Sequence, residues 1–339
     1  MKAVVLEGKE NVRVGEFKDP VLEKGSVKVE IAYCGLCGTD VHKFQGKGGS
    51  RPVTYPVPLG HEASGVVCEV GEDVTEYKVG DRVTIDPNWS CGHCYYCKEG
   101  ITHMCENSRG VSKGLAEYVC APQENIYKIP DEVTLKEAAL TEPLSCCLHG
   151  MDLLDVKLGD TVAIIGMGSI GSIVLELCKK ASAGDIIVIE ANEEKREKAM
   201  AMGTTLFVNP LKENVMEKIE QAGIKNVNRV MECVGINDTI ETALQIAGKK
   251  AIVVLFGLPD PKKDVPIKMR SILQREIEIR TSFLNPNTTE RAIHILKNKD
   301  LDLSQIVSME MPMENVPEEL KSQEYMRNGK VIVKIKGES

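Results

Sequence analysis

The sequence predicts an α/β chain in which a doubly wound parallel sheet is joined to a β-rich domain bearing a metal-bound lobe. Three observations predict it. Short apolar runs punctuated by glycine and proline fill the first 150 residues, strand-like and helix-like stretches alternate from Thr161 onward, and four cysteines crowd the segment CGHCYYCKEGITHMC.

In the first half, VKVEIAYC (27–34), ASGVVCEV (63–70) and DRVTIDP (81–87) have the length and bounding turns of strands in a partly closed β domain. Cys91, Cys94, Cys97 and Cys105 follow, separated by two, two and seven residues. That spacing lets four thiolates surround one tetrahedral ion at sulfur–metal distances of about 2.3 Å. A closed four-sulfur site leaves no position for water or substrate, so its work is structural. The alternative, a pair of local disulfides, calls for an oxidising compartment.

In the second half, TVAIIG (161–166) reads as a buried strand, SIGSIVLELCKKA (169–181) as a helix and DIIVIE (185–190) as the next strand. EEKREKAMAMG (193–203) reads as a helix ending at Gly203, and LFV (206–208), VNRVMECVG (227–235) and KKAIVVLFG (249–257) as further strands. This alternation implies a parallel sheet with helices on both faces. The tail GKVIVKIKG (329–337) is strand-like and is expected to return to the first domain. The sequence contains no internal repeat or low-complexity tract.

Gly166-Met167-Gly168-Ser169-Ile170-Gly171 is GxGxxG, between an apolar strand and an apolar helix, which is the context the motif needs to bind a dinucleotide. Gly166 allows the tight turn, Gly168 the approach of a pyrophosphate and Gly171 the packing of helix on strand. Helix N-terminal amides then face the phosphate charge. Glu190, 24 positions after Gly166, ends the second strand, where a carboxylate can bind both ribose hydroxyls. It would repel a 2′-phosphate, which favours NAD over NADP, and its removal should erode that preference. Lys195 complicates the choice, since it can sit against the ribose or accommodate the extra phosphate.

Bulk properties set the outer limits. The 339 residues have room for two domains, and 42% hydrophobic with 27% charged residues is ordinary for a soluble protein. A net charge of −8 argues against nucleic-acid or anionic-membrane binding. No apolar run approaches the roughly 18–20 residues of a membrane span. The N-terminal MKAVVLEGKENVRVGEF breaks into charge too early for a signal peptide. Seven of the twelve cysteines have no evident ligand role, which suggests a reducing cytoplasm.

Cys37 in CGLCGTDVH, His61 in LGHEASG and Glu142 in LTEPLSCCLHG offer a thiolate, an imidazole and a carboxylate, three sensible zinc ligands that leave a fourth position open. Spacing alone does not bring them together. Taken singly, Cys37 is more often a buried thiol and Glu142 a solvated or capping carboxylate.

With CGTDVH, GHE, the four-cysteine lobe, EPL and GMGSIG in order from end to end, the chain resembles the zinc-containing medium-chain dehydrogenases, within them the polyol and threonine dehydrogenase branch. The resemblance implies a GroES-like catalytic domain over 1–148 and 284–339, with its structural zinc lobe at about 88–108. A Rossmann NAD-binding domain would span 149–283. It implies two zinc ions per chain, the catalytic one held by Cys37, His61 and Glu142, with Glu62 approaching or replacing a ligand in some members. Asp40 would orient the ring of His61, and Thr39 and His42 would relay the alcohol proton to solvent. His42 taken singly is more often a surface histidine. Hydride would pass to the nicotinamide in a cleft that excludes water. Homodimers or homotetramers paired through the edge of the Rossmann sheet are common in this branch.

The substrate expected is a small alcohol, most simply a polyol or sugar alcohol, phosphorylated or not, oxidised to a ketose. Many sorbitol dehydrogenases place arginine and tyrosine where this chain has Leu284 and Asn285, which removes a charged clamp on polyol hydroxyls. Leu144-Ser145-Cys146-Cys147 lacks the Gly-Asn of threonine dehydrogenases. Lys43, Lys47 and Arg51, in the loop 41–55, can bind a sugar phosphate or serve as solvated loop charges. The alternatives are an L-threonine 3-dehydrogenase, a general alcohol dehydrogenase or, more distantly, a non-catalytic zinc- and nucleotide-binding relative. Such a relative would be free to lose Cys37, His61 or the glycines, and none is missing.

Overall fold

The computed structural model describes residues 1–49 and 51–338. The chain divides into two units, one comprising Met1–Ser145, Leu284–Leu303 and Val307–Ser339, the other Cys146–Phe283 with Ser304–Ile306.

In the first unit, the long strand Ser26–Leu36 organises a seven-stranded sheet. It is buried along most of its length because both faces carry apolar side chains, and Val27, Val29, Ile31 and Cys34 contribute to the core. Glu62–Val70 runs antiparallel to it on one side, with Gly35 opposite Glu62. The tail strand Lys330–Lys334 runs antiparallel on the other, with Val331 opposite Leu36. The register therefore sets Lys330 beside the end of Ser26–Leu36, just before Cys37. Val307–Pro312 continues the sheet in parallel with the tail strand.

The cysteine lobe grows from the short ribbon that pairs Asn88–Trp89 with Arg109–Gly110. Its base is clasped by Arg109, whose guanidinium lies 4.4 Å from the centre of the Trp89 ring. Within the lobe are only a four-residue helix, Tyr95–Lys98, and one 3₁₀ turn, Thr102–Met104, and its large apolar side chains Tyr95, Ile101 and Met104 face solvent. A segment that buries so little needs a staple.

The second unit holds a six-stranded parallel sheet in the order Leu206–Val208, Ile186–Ile189, Val162–Ile165, Arg229–Glu232, Ile252–Leu255, Glu278–Thr281. This is the doubly wound order, and its switch point adjoins Val162–Ile165. The central strands are unbroken apolar runs because helices cover both their faces. The stretch read as one helix over 193–203 is instead a 3₁₀ turn, Glu193–Lys195, followed by the helix Arg196–Ala201.

Helix Ser169–Lys180 follows the first strand of this sheet so closely that only glycine fits at its start. A Cβ on Gly171 would lie 1.9 Å from the Gly166 carbonyl oxygen, whereas one on Gly168 would meet nothing within 4 Å. Gly166 itself has φ +91°, a conformation that disfavours side chains. Gly171→Ala is expected to destabilise the second unit by about 1–3 kcal/mol through overpacking. Gly168→Ala should leave denaturant unfolding unchanged.

Candidate active site

Cys37 caps the helix Gly38–Phe44, and Asp40 sits at the third position of that helix. The fully buried Asp40 carboxylate accepts the Cys37 N–H through Oδ2 and the Gly60 N–H through Oδ1, each at 3.1 Å. It thereby ties the turn before the helix to the turn before His61. His61 Nδ1 lies 3.7 Å from Asp40 Oδ1. Burial alone would push the Asp40 carboxyl up, but the neighbouring His61 and the accepted bonds hold it well below the usual carboxylate range. Burial likewise opposes charge on His61, and its interactions with Asp40 and Cys37 outweigh it, so the ring titrates well above its ordinary value.

Next along the chain, Glu62 is buried in the core. It is 1% exposed, and both its oxygens accept from Lys330 Nζ, at 2.6 and 2.8 Å; Lys330, 2% exposed, also donates to the Leu36 carbonyl at 3.3 Å. Gly35 makes room for this pair, since a Cβ there would lie 1.8 Å from Glu62 Oε2.

One ligand atom each from Cys37, His61 and Glu62 lies within 4.8 Å of the others. The sequence reading put Glu142 third and Glu62 in reserve. Among the described residues the close set contains Glu62 and not Glu142. Glu142 stands in the first turn of the helix Thr141–Leu154, close enough to feel His61 and Glu62, and burial pushes its carboxyl up to about 7. Thr39 and His42 are three residues apart on the helix that Cys37 caps and so share one of its faces. A soft thiolate, an imidazole and a carboxylate around one point suit a zinc ion with an open position.

In the lobe, the four sulfurs of Cys91, Cys94, Cys97 and Cys105 also lie within 4.8 Å of one another, and all twelve cysteines are free thiols. Cys94 and Cys97 sulfurs are 3.5 Å apart, far beyond a disulfide bond of about 2.05 Å. The backbone N–H of His93, with further donors, draws the Cys91 thiol down to about 5. A thiol so readily ionised is ready to ligate.

At the glycine turn, the space before Gly168 is open while Gly166 and Gly171 are in close contact, the cradle that a phosphate needs. Ser169 and Ile170 begin the helix. Glu190 and Lys195 form an ion pair at 3.1 Å, both largely buried.

Sequence reasoning missed Lys330, whose only signal is a lysine opening the apolar run VIV, and a polar chain in the first unit. Arg51 Nη1 donates to Asn88 Oδ1 at 3.0 Å, Asn88 Nδ2 to Asn285 Oδ1 at 2.7 Å, and Asn285 Nδ2 to Ser145 Oγ at 3.0 Å. These residues, with Asp86, Ser108 and Asn287, border a polar cavity of about 170 Å³, apart from Ser145.

Two family descriptions match the chain, the alcohol dehydrogenase GroES-like domain over residues 23–131 and the zinc-binding dehydrogenase over residues 169–298. The D-arabitol-phosphate dehydrogenase of Enterococcus avium is 33% identical over 87% of this chain and 85% of its own length. The (R,R)-butanediol dehydrogenase of Bacillus subtilis (strain 168) is 34% identical over 80% of this chain and 83% of its own. The chain belongs to the zinc-containing medium-chain dehydrogenases. It is an oxidoreductase of their polyol branch. Among solved structures, a zinc-binding dehydrogenase from Sinorhizobium meliloti 1021 bound to NADP superposes with a TM-score of 0.92 at 34% identity, over 98% of each chain. No helix among the described residues is long and apolar enough to cross a membrane.

The Glu62–Lys330 pair generates a prediction for this medium-chain dehydrogenase. Lys330→Met strands a carboxylate in the core and should destabilise the first unit by about 3–5 kcal/mol in denaturant unfolding. The partner carboxylate raises the Lys330 pKa despite burial. Its contribution is therefore complete below the ordinary value of 10.5 and fades only as pH rises through the raised one. The loss should accordingly be the same at neutral and mildly alkaline pH.

Proposed function

We propose that the chain oxidises a secondary alcohol of a polyol or sugar alcohol to a ketose, with zinc and a nicotinamide dinucleotide, NAD in preference to NADP. The observation that carries this reading is the meeting of Cys37, His61 and Glu62 within 4.8 Å beneath a buried Asp40. When bound, zinc supplies a Lewis acid that lowers the pKa of the alcohol, and the nicotinamide supplies the hydride acceptor.

The chain's own residues do the rest. Cys37 and His61 hold the ion together with Glu62 or Glu142, and Asp40 fixes the His61 ring. Thr39 and His42 lie on one helix face and carry the proton outward. Cys91, Cys94, Cys97 and Cys105 hold the structural ion. Gly166, Gly168, Ser169, Ile170 and Gly171 form the phosphate turn, and Glu190 with Lys195 receives the adenosine ribose.

None of the candidate zinc ligands borders the polar cavity of the first unit; taken as part of the substrate site, it favours a hydroxylated substrate over an apolar one. In the place of an arginine–tyrosine clamp, Asn285 is 3% exposed and engaged with Asn88 and Ser145, so Leu284 and Asn285 do not supply a charged grip. Arg51 is the cation bordering the cavity. It supports a phosphorylated polyol as the second reading, and the named E. avium relative is consistent with it. Exposed Met269, Leu273 and Ile279, on and beside the edge strand Glu278–Thr281, support self-association through that edge.

NADH formation on a panel of pentitols, hexitols, their phosphates, butanediol and threonine tests the reading. Chelator-sensitive turnover on a polyol is expected, and turnover on threonine or butanediol alone would overturn the substrate class. Cys37→Ser should abolish turnover while one zinc per chain remains by elemental analysis. Cys94→Ser should instead lower the melting temperature and the zinc content together.

A further inference from the structure

Glu190 makes more contacts than a ribose reader requires. Its Oε2 accepts the N–H of Met167 at 2.7 Å and the ammonium of Lys195 at 3.1 Å, and its Oε1 accepts the N–H of Asn192 at 2.8 Å. Met167 lies between the first two glycines of the phosphate turn and is 1% exposed. The preceding N–H, of Gly166, donates to the Ile189 carbonyl at 2.8 Å. Two successive amides of the turn are thus held by the end of the neighbouring strand, one by backbone and one by the Glu190 side chain.

A carboxylate offers about four lone-pair sites. Three are taken, so one remains for a ribose hydroxyl unless Lys195 moves. Bonds to a charged acceptor are about twice as strong as neutral ones, and a buried amide that loses its partner is left unsatisfied. Without the Glu190 carboxylate the Met167 N–H loses its acceptor, and the turn that must present its amides to a phosphate loses one of its two ties.

We propose that Glu190 is a positioning residue for the phosphate-binding turn as well as a ribose partner. This rests on the dinucleotide reading above. The ribose and phosphate subsites are then coupled, and Glu190 substitutions weaken ligands that never touch the ribose.

Reduced nicotinamide mononucleotide separates the two roles, because it carries a phosphate and the nicotinamide but no adenosine ribose. Its dissociation constant and that of NADH are measured by fluorescence titration on the wild type, Glu190→Ala, Glu190→Asp and Glu190→Gln. Glu190→Asp keeps the charge and the Lys195 partner but draws the carboxylate back from Met167, and it covers the case in which Glu190→Ala does not fold. The expected result is mononucleotide affinity lowered about fivefold or more in Glu190→Ala and Glu190→Asp, from the value of one lost hydrogen bond. Glu190→Gln, which still offers an acceptor, should restore it to within about threefold of the wild type on the same basis. Unchanged mononucleotide affinity with weakened NADH would overturn the proposal and leave Glu190 a ribose reader only. Wild type that binds neither ligand would overturn the dinucleotide reading itself.

Discussion

A carboxylate removed from water must find a cation or give up its charge, and Glu62 finds Lys330, 268 positions away in sequence. Few contacts constrain the first unit so strongly. The pair joins the strand that begins at Glu62 to the tail strand that begins at Lys330, on opposite sides of Ser26–Leu36. Gly35 has to be glycine to admit it. A one-residue slip of either strand would turn one partner to the other face of the sheet. Desolvation of both ions offsets much of their attraction, so the pair contributes register more than net stability. In fixing that register it also fixes His61, the residue before Glu62, against Cys37, the residue after Leu36.

Charge in the same region bears on which of two carboxylates, Glu62 or Glu142, would complete the ligand set of a metal. Glu62, already satisfied by Lys330, keeps an oxygen within reach of Cys37 and His61. Glu142, with its carboxyl raised by burial, is not in that close set. A nearby positive charge would lower the raised pKa of Glu142, a divalent ion would provide one, and ligands of this kind lose protons when a metal binds. The two glutamates are therefore not equivalent. Glu62 is held by a lysine, whereas the charge of Glu142 depends on what else is there.

Much of this could be read from local sequence because its cause is local. Four cysteines within fifteen residues need no tertiary information to form a cluster, and glycines at 166, 168 and 171 act within one turn. The parallel strands announced themselves as apolar runs, while the edge strand Glu278–Thr281, EIRT, did not, because an edge is half solvated and tolerates charge. Lys330 was illegible for the opposite reason. Its partner is distant in sequence, and a lysine at a strand start looks like an exposed end until the register is known. Asn285 could be read only as a missing arginine or tyrosine, since its hydrogen bonds to Asn88 and Ser145 join segments that no spacing links.

Three buried carboxylates show the same device at work. Asp40 accepts the amides of Cys37 and Gly60, Glu190 those of Met167 and Asn192, and Glu232 those of Val234 and Gly235, both at 2.8 Å. In each case the amides belong to turns that have no ladder to satisfy them, and a buried amide must be paired. A side chain can supply the missing acceptor, from its own turn or from a neighbouring element. The sequence reading gave Asp40 and Glu190 roles through partners outside the backbone, a histidine ring and a ribose, and gave Glu232 none. Their contacts in the folded chain are first of all to the turns themselves. A metal ligand and a phosphate cradle both demand turns held to within a fraction of an ångström, and in this protein carboxylates hold them.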